Sequence, residues 1–326
     1  MKAIVFDAPG DERVLRLGEQ PAPAAGPQDL HLRVVATAVN RADLLQRQGF
    51  YPPPPGASPI LGLECAGEVL EVGSEVRGWR QGERAMALLS GGGYAEQVVV
   101  PAVCAMRVPD GFSWEEAAAT PEAFLTVFLN VFELGALAPG GVVLVHGGGS
   151  GIGTATITLV REAGGRVFVT AGSEAKCERC RALGAALAVN YKTQNFAAEV
   201  RKASEGRGVD LVLDSIGAPY LADNLASLSV GGRLVLIGLM GGAKAEIALG
   251  ELLMRRLHVM GSTLRARPAH EKGSIIARFR ERFGAALSAG RVRPVVDRVL
   301  PLAEAAEAHR AMKAGEHFGK IVLRVA

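Results

Sequence analysis

The sequence predicts an α/β fold in which a doubly wound parallel sheet is joined to a second, mostly β domain. The length of 326 residues exceeds the roughly 100–200 residues of a single domain. Strand-like and helix-like segments alternate over about 120–260, which is typical of a parallel sheet with crossover helices. Shorter β-like runs precede that region, so we expect domains over 1–121 and 122–261, with 262–326 returning to the first domain.

The first domain is predicted from short apolar and β-branched runs that are separated by Gly and Pro clusters. Such spacing favours a mostly antiparallel sheet. The runs are DLHLRVVATAV (29–39), GEVLEVG (67–73) and YAEQVVVP (94–101). The segment GKIVLRV (319–325) has the same character, and we expect it to add a strand to the sheet of the first domain.

Six apolar runs predict the parallel sheet of the second domain, because strands buried on both faces read as continuous apolar segments. Most of the intervening segments are long enough to hold a crossover helix. The six runs are Val142–Val145, Arg166–Thr170, Leu187–Asn190, Val209–Asp214, Arg233–Gly238 and Leu257–Gly261.

A string of glycines follows the first of these runs, in VLVHGGGSGIG (143–153). A strand, a glycine-rich turn and a helix that begins near Gly151 bring free backbone N–H groups to the positive end of a helix, which makes an anion site. The segment fits the dinucleotide pattern G-x-G-x-x-G with Ser150 at the middle glycine position. A purely structural turn is the alternative, and no Gly-Lys-Ser/Thr follows that would make a Walker-type loop. We expect a dinucleotide to be bound by Gly148, Ser150, Gly151, Ile152 and Gly153.

The end of the second strand selects between the two nicotinamide dinucleotides. A carboxylate there would bind a ribose 2′-hydroxyl, whereas residues 171–173 are small and uncharged. Lys176 can bring a positive charge to a 2′-phosphate, and Tyr191, after the third strand, can offer a phenol hydrogen bond. Glu174 argues for NADH, although an acid at a helix start has an ordinary dipole-favoured role. We expect NADPH, bound here through Gly172, Ser173, Lys176 and Tyr191.

Charge and composition argue against several classes of protein. The 36 basic and 33 acidic residues are interspersed and leave a net charge of +3, so nucleic acid is not expected as the main partner. No apolar window approaches the roughly 18–20 residues that cross a bilayer, and the N-terminus resembles neither a signal nor a transit peptide. Four scattered cysteines fit the reducing cytoplasm. The charged segment around Cys177-x-x-Cys180 predicts a surface helix rather than a zinc or redox site.

Several co-linear motifs carry a resemblance that covers essentially the whole chain. They are NRADLLQRQGFYPPPPG (40–56), ILGLECAGEVLEVGSEV (60–76), LLSGGGYAE (88–96), TPEAFLTVF (120–128), HGGGSGIG (146–153), LGAALAVNY (183–191) and GKIVL (319–323). The chain resembles the zinc-free quinone oxidoreductases of the medium-chain dehydrogenase/reductase superfamily, which are related to zeta-crystallin, and most of all their stress-inducible NADPH-dependent subgroup. The resemblance implies a GroES-like catalytic domain, a Rossmann dinucleotide-binding domain and a homodimer joined around Leu253–Thr263.

The positions that hold catalytic zinc in the alcohol dehydrogenases of that superfamily differ here. The resemblance places Asn40, Leu63 followed by Glu64, and Glu122 at those positions. A tetrahedral catalytic zinc needs three protein donors, and Leu63 offers none, so we expect no metal. Without a Lewis acid, the acceptor must itself tolerate negative charge, as a quinone ring does.

The candidate catalytic residues lie in the first domain. Asn40 and Tyr51 resemble active-cleft residues of the family, and Arg41 is expected to help electrostatically. Asp43 is expected to orient its neighbours and Glu64 to be structural. Simple packing roles are the alternative for several of these positions. On the cofactor side, the resemblance and the strand ends point to Thr126, Gly238, Leu239 and Met240 beside the nicotinamide.

Three functions stay open from the sequence. The first is NADPH-dependent reduction of quinones, by hydride or electron transfer, in a metal-free cleft between the domains. The second is reduction of a 2-alkenal or an enoyl thioester, and the third is NADPH binding without catalysis. Asn40, Tyr51 and Thr126 beside a cofactor motif favour an enzyme. The expected partners are a small quinone or activated alkene and a second copy of the chain, with no membrane.

Overall fold

The computed structural model describes residues 1–325, and the chain divides into two compact units. Unit 1 comprises Met1–Leu125 together with the segment that begins at Leu264, and unit 2 comprises Thr126–Thr263. One unit is built on a parallel sheet with helices and the other is mostly β. The predicted α/β class is therefore confirmed.

The elements are numbered in chain order. The strands are β1 (Lys2–Val5), β2 (Arg16–Glu19), β3 (Asp29–Ala38), β4 (Glu64–Val72), β5 (Arg84–Leu88), β6 (Gln97–Pro101), β7 (Ala105–Arg107), β8 (Val142–His146), β9 (Arg166–Ala171), β10 (Leu187–Asn190), β11 (Val209–Asp214), β12 (Leu228–Leu236), β13 (His258–Gly261), β14 (Val296–Pro301) and β15 (Lys320–Arg324). The helices are α1 (Arg41–Arg47), α2 (Trp114–Ala118), α3 (Pro121–Val127), α4 (Gly151–Glu162), α5 (Glu174–Leu183), α6 (Phe196–Ala203), α7 (Leu221–Ser227), α8 (Leu249–Arg255), α9 (Ala269–Ser288) and α10 (Ala305–Ala314). Helix α3 continues into a π-helical segment, Phe128–Leu134.

Unit 1 contains a seven-stranded sheet ordered β14-β15-β3-β4-β5-β7, in which β6 also pairs with β3. β14 and β15 are parallel, and the other pairs are antiparallel. β15 joins β3 with Val322 opposite Ala38 and Arg324 opposite Ala36. The strand predicted at 319–325 is thus confirmed as an addition to this sheet.

The core of unit 1 draws on both ends of the sequence. Alternate residues of β3, such as Leu30, Leu32 and Val34, are fully buried, as the period of two in a strand requires. Ile321 and Leu323 of β15 belong to one apolar cluster with Tyr94 and with the buried face of α10. The last strand is therefore part of the core rather than an appendage.

Unit 2 contains a six-stranded parallel sheet in the order β10-β9-β8-β11-β12-β13. In terms of the sequence of its strands this is the 3-2-1-4-5-6 order of a Rossmann sheet, whose ligand site lies beyond the carboxyl ends of the strands where the order reverses. β8 lies at that reversal, and all five of its residues are buried. All six predicted strands are present.

The fifth strand differs most from its predicted bounds. β12 begins at Leu228 and ends at Leu236, whereas the sequence predicts 233–238. Its pairing with β11 shifts from Leu228 opposite Val209 to Arg233 opposite Leu211, and Gly231 takes a φ of +78°. This bulge interrupts the apolar pattern, because the strand bends where Gly231 and Gly232 follow the exposed Val230.

Two further expectations concern membranes and cysteines. Within residues 1–325, no helix has both the length and the apolar character needed to cross a membrane. Cys177 and Cys180 lie in α5, as predicted, but both side chains are buried and both thiols are free. The helix has an exposed charged side, and the two cysteines belong to its inner side.

Candidate functional site

The turn between β8 and α4 is shaped to accept an anion. Ser150 caps α4 and its Oγ accepts a hydrogen bond from the backbone N–H of Gly153 at 3.0 Å. A Cβ at position 153 would lie 2.4 Å from the carbonyl oxygen of Gly147, so the close approach of turn and helix requires glycine. The first helical N–H groups, those of Gly151 and Ile152, have no acceptor within the helix. Backbone donors and the positive end of α4 thus coincide at one point.

A second set of polar groups lies at the end of the neighbouring strand, β9. The hydroxyl of Tyr191 lies over Gly172, since a Cβ at position 172 would be 2.8 Å from it. Ser173 caps α5 and accepts from the backbone N–H of Lys176 at 3.3 Å. Glu174 is held in an ion pair with Arg181 at 2.7 Å. The structure therefore brings Gly172, Ser173, Lys176 and Tyr191 to one place, while the carboxylate that argued for NADH has its own partner.

The loops after β11 and β12 lie at the same carboxyl edge of the sheet. Asp214 accepts hydrogen bonds from the backbone N–H groups of Ile216 at 2.6 Å and Gly217 at 3.1 Å. The N–H of Met240 donates to the carbonyl of Ser215 at 3.1 Å, which ties the two loops together. Leu239 and Met240 are 52% and 53% exposed, and Gly238 precedes them. An apolar surface is thus presented where ligands gather in sheets of this order.

A buried polar chain fixes these strand ends relative to each other. Asn224 donates from Nδ2 to Asp214 at 3.0 Å, so its Oδ1 accepts from Nε2 of His146 at 2.7 Å. Nδ1 of His146 is then the acceptor for the hydroxyl of Thr170 at 3.0 Å. Burial lowers the pKa of His146 to about 4. The imidazole is therefore neutral near pH 7 and serves as a link between β8, β9 and β11.

In unit 1, Asn40, Glu64 and Lys320 form a buried polar cluster, which we call the Lys320 cluster. Nζ of Lys320 lies 2.7 Å from Oε1 of Glu64 and donates to Oδ1 of Asn40 at 2.6 Å. Nδ2 of Asn40 donates to Glu64 at 2.9 Å and to the carbonyl of Ala38 at 3.2 Å. The side chains of Glu64 and Lys320 are 0% and 5% exposed, so the charge of each is compensated mainly by the other.

Two more carboxyl groups surround the Lys320 cluster. The backbone N–H of Glu122 donates to Oε2 of Glu64 at 2.8 Å, and Oε2 of Glu122 is buried with no hydrogen-bond partner within residues 1–325. Burial, and then the nearby Glu64 carboxylate, raises the pKa of Glu122 to about 8. Asp43 accepts from the backbone N–H groups of Asn40 at 2.8 Å and Gly62 at 3.0 Å, and burial raises its pKa to about 6. Near pH 7, Glu122 is therefore protonated while Glu64 remains the partner of Lys320.

Tyr51 and Arg41 lie in the segment that begins with Asn40. The carbonyl of Tyr51 accepts from Arg265 at 3.3 Å, and the guanidinium of Arg265 lies 5.3 Å from the centre of the Tyr51 ring. The Tyr51 hydroxyl makes no hydrogen bond within the described chain, and burial raises its pKa. Arg41 begins α1, is exposed, and forms no ion pair among residues 1–325. Tyr51 and Arg41 thus keep polar groups that a ligand could use.

A zinc ion does not fit these residues. The positions that resemble zinc ligands do converge, since Asn40, Glu64 and Glu122 are joined by hydrogen bonds. The oxygens of Asn40 and Glu64 nevertheless already face the ammonium of Lys320, and Leu63 is a buried apolar side chain without a donor atom. No group of three or more His, Cys, Asp or Glu side chains elsewhere in residues 1–325 is arranged to hold a metal.

Sequence reasoning missed Lys320 and Arg265. Lys320 stands in the GKIVL motif, and the signal was a lysine at the start of an otherwise apolar strand. Arg265 follows unit 2 in a segment without strong periodicity. Thr126, expected beside the nicotinamide, lies in the last turn of α3, where its carbonyl accepts from Nδ2 of Asn130 at 2.7 Å.

Two family models match the chain. One, described as an alcohol dehydrogenase GroES-like domain, matches residues 26–110. The other, described as a zinc-binding dehydrogenase, matches residues 183–323. The first match lies within unit 1, and the second covers part of unit 2 and continues into the segment after Leu264.

Individual proteins resemble the chain over its whole length. The human synaptic vesicle membrane protein VAT-1 homolog is 31% identical over 99% of this chain and 86% of that protein. Two solved structures align over 100% of both chains with a TM-score of 0.88: an NAD-dependent alcohol dehydrogenase at 34% identity and Escherichia coli quinone oxidoreductase complexed with NADPH at 25% identity. A phenolphthiocerol/phthiocerol polyketide synthase of Mycobacterium tuberculosis is 30% identical over 98% of this chain, which spans 14% of the length of that protein.

Proposed function

The chain belongs to the medium-chain dehydrogenase/reductase superfamily, and from that premise we propose that it reduces quinones with NADPH as the electron donor. Superfamily membership and the quinone oxidoreductase neighbours support a nicotinamide-dependent oxidoreductase. The choice of NADPH and of a quinone is the finer part of the proposal. The observation that carries the choice of a quinone is the Lys320 cluster, which occupies the positions resembling zinc ligands with an ammonium and a carboxylate.

The residues at the carboxyl edge of the unit 2 sheet support a dinucleotide with a 2′-phosphate. Gly148, Ser150, Gly151, Ile152 and Gly153 would hold the pyrophosphate on backbone donors and the positive end of α4. Gly172, Ser173, Lys176 and Tyr191 would hold the 2′-phosphate, because no carboxylate occupies the end of β9. Thr126, Gly238, Leu239 and Met240 would line the nicotinamide. NADPH, when bound, supplies a hydride from C4 of its nicotinamide ring.

The acceptor is inferred from the chemistry that unit 1 offers. Reduction of a simple ketone develops negative charge on one oxygen, which a metal ion would otherwise stabilise. A quinone spreads that charge over its ring, so that the protein contributes chiefly position, which is worth roughly 7–11 kcal/mol at best. A quinone therefore needs less from this site than a simple ketone does.

The roles of the unit 1 residues follow from which of their polar side-chain groups already have hydrogen-bond partners and which do not. We assign the free hydroxyl of Tyr51 and the unpaired guanidinium of Arg41 to the acceptor oxygen, where hydrogen-bond donors stabilise developing charge. Asn40, expected from the sequence to be catalytic, is assigned a positioning role instead, because its amide nitrogen and its amide oxygen are both already hydrogen-bonded. Its contribution is to position that cluster.

The decisive experiment follows NADPH absorbance with three acceptors: phenanthrenequinone, a naphthoquinone and a 2-alkenal, each tested with NADPH and with NADH. The proposal expects oxidation of NADPH by the quinones at a kcat/KM well above that with the alkenal. Oxidation by the alkenal alone would replace the proposal with the second candidate. Saturable NADPH binding without oxidation by any acceptor would leave a binding protein.

A second candidate is the reduction of an activated alkene in an enoyl thioester. It is favoured by the similarity of this chain to a segment of a polyketide synthase. Such a reduction also places negative charge on a delocalised system, and so makes the same modest demand on unit 1. The alkenal arm of the experiment separates the two candidates.

The proposed partner, besides the small acceptor, is a second copy of the chain. β13 is an edge strand of the unit 2 sheet, and Leu253 and Met254 of the preceding α8 are each 77% exposed. An open edge beside large apolar side chains supports pairing around Leu253–Thr263. The four cysteines are free and buried, which supports the proposal that the protein works in the reducing cytoplasm.

A further inference from the structure

Unit 1 contains a cavity of about 570 Å³ that the proposed reaction does not use. Its lining includes the proline-rich loop 54–59, the Ser90–Gly92 turn, β6 and the start of α9, but not Asn40, Tyr51, Glu64 or Glu122. Much of the wall is apolar, with Pro54, Ile60, Leu88, Leu89, Val98 and Val100. A volume of this size is typical of a site for a small organic molecule.

The charge on the cavity wall has one sign. Arg265, Arg267 and Lys272 line it, and no Asp or Glu of the described residues does. Arg267 is paired with Glu271 at 3.1 Å. Arg265 and Lys272 are each only 3% exposed, and neither forms an ion pair with a carboxylate within residues 1–325. Two buried cations thus share a cavity wall without an acidic partner.

The hydrogen bonds of these two cations all go to neutral acceptors. Arg265 donates to the carbonyls of Ser90 at 2.9 Å and Tyr51 at 3.3 Å and to Gln46 Oε1 at 2.6 Å. Lys272 donates to Ser90 Oγ at 2.6 Å and to the carbonyl of Arg265 at 2.7 Å. A guanidinium has five N–H donors and an ammonium three, so both side chains keep donors in reserve.

Burying a cation without a counter-charge is costly, and proteins usually compensate it with an anion. Glu122 acts electrostatically on both cations and Asp43 acts on Arg265, but both acids are outside the cavity wall and neither forms a hydrogen bond with Arg265 or Lys272. The missing partner is therefore a ligand with a negative group. A planar guanidinium beside an ammonium suits a carboxylate, and the prolines, leucines and valines suit an apolar body.

We propose that this cavity is a binding site for an amphipathic carboxylate, a small molecule with an apolar body and one carboxylate, which Arg265 and Lys272 bind. The site is separate from the proposed quinone reaction and does not depend on it. Arg265 is shared, because it also holds the carbonyl of Tyr51. A ligand that binds Arg265 in the cavity would therefore also affect the position of the loop that carries Tyr51.

Calorimetric titration of the whole chain tests this with two matched pairs of probes: 2-naphthoate against 2-naphthamide, and decanoate against decanamide. The site predicts that at least one carboxylate binds saturably and at least tenfold more tightly than its neutral amide. This comparison needs no variant and so does not depend on the folding of a mutant. Lack of binding by both carboxylates, or equal affinity within each pair, would overturn the proposal.

Variants then locate the site. Lys272→Met should weaken binding of the carboxylate probe at least tenfold and leave the affinity for the amide unchanged. Lys313→Met, which removes the same charge from an exposed position in unit 1, is the matched control and should change neither. If Arg41→Met weakens carboxylate binding and Lys272→Met does not, the anion binds elsewhere and the assignment to this cavity is wrong. Thermal unfolding of each variant establishes that it is folded.

Discussion

Nζ of Lys320 lies 2.6 Å from Oδ1 of Asn40, although 280 positions separate the two residues along the chain. The same ammonium is 2.7 Å from Glu64. Lys320 is the first residue of β15 and Asn40 directly precedes α1. The pairing of β15 with β3 therefore delivers the counter-charge that the buried Glu64 requires.

Lys320→Met should destabilise the protein strongly, because it leaves the Glu64 carboxylate buried without its partner. Breaking a buried pair in this way typically costs ~3–5 kcal/mol. The double variant with Glu64→Gln should recover a large part of that loss, since it removes the uncompensated charge. Urea denaturation measures the free energies of unfolding. A single variant no less stable than the exposed-site control Lys313→Met would contradict the role given to Lys320.

The stability of the protein should fall as pH rises from 7 to 8, the range that ends at the raised pKa of Glu122. Folded Glu122, with its pKa raised from 4.5 to about 8, still holds a proton in part of this range, whereas the unfolded carboxyl is ionised. Unfolding then releases a proton, so higher pH favours the unfolded state. His146 and His309, whose pKa values are lowered to about 4 and about 3, act in the opposite sense only near and below their unfolded value of about 6.5.

Glu122→Gln should flatten this dependence, because an amide does not titrate. Denaturation in urea at several pH values between 7 and 8, below the range in which unfolded thiols ionise, measures the slope. Glu304→Gln, at an exposed position of the same unit, should keep the slope of the unmodified protein. Equal slopes for both variants would show that Glu122 is already ionised in the folded state.

Gly153→Ala should abolish most NADPH binding. The added Cβ would lie 2.4 Å from the carbonyl oxygen of Gly147 and 2.5 Å from the Cα of Gly148, so the turn must move away from the start of α4. A loss of at least tenfold in NADPH affinity is expected, measured by the fluorescence of the bound nicotinamide. Gly284→Ala is the control, since its Cβ meets nothing within 4 Å in α9. It should leave affinity unchanged and stabilise the helix by up to ~1 kcal/mol.

Lys176→Glu should weaken NADPH far more than NADH. The substitution places a carboxylate in the group formed with Ser173 and Tyr191, where it would repel a 2′-phosphate and accept a hydrogen bond from a 2′-hydroxyl. Titration with both dinucleotides gives the ratio of the two Kd values. Lys202→Glu, an exposed change in α6, controls for net charge. Equal losses for the two dinucleotides would refute the assignment of the 2′-phosphate.

Leu253→Lys combined with Met254→Lys should convert a dimer into a monomer. Both side chains are largely exposed beside the open edge of β13, and two cations buried between protomers would be costly. Sedimentation or size-exclusion with light scattering gives the mass. Leu17→Lys, at an apolar residue of unit 1 that is 43% exposed, should leave the mass unchanged. A monomeric parent protein would remove the proposed contact altogether.

The parallel sheet was predictable because its strands are buried on both faces and read as apolar runs. β10 and β11 have the bounds that the sequence predicts. β12 does not, because a bulge at Gly231 and Gly232 bends it, and nothing in an apolar pattern records where a strand bends. The groups at the ends of β8 and β9 were predictable for a related reason, since they follow their strands directly in the sequence.

The Lys320 cluster was not predictable in the same way. Its three members lie on different elements, Asn40 before α1, Glu64 in β4 and Lys320 in β15, and only the sheet order brings them together. Arg265 and Lys272 are similar, since each reads as an ordinary surface cation until burial is known. Charged residues that tertiary contacts bury carry no local pattern of their own.

The path of the chain through unit 1 also sets the order in which a nascent polypeptide can mature. Residues 126–263 leave the ribosome before β15 does, so unit 2 can close while the far end of β3 still has an open edge at Ala36–Ala38. Until Lys320 is synthesised, Glu64 has no counter-ion, and its burial in the unit 1 sheet is energetically unfavourable. In the nascent chain, the N-terminal part of unit 1 is therefore the region most open to misassociation. We expect a chaperone to be needed there.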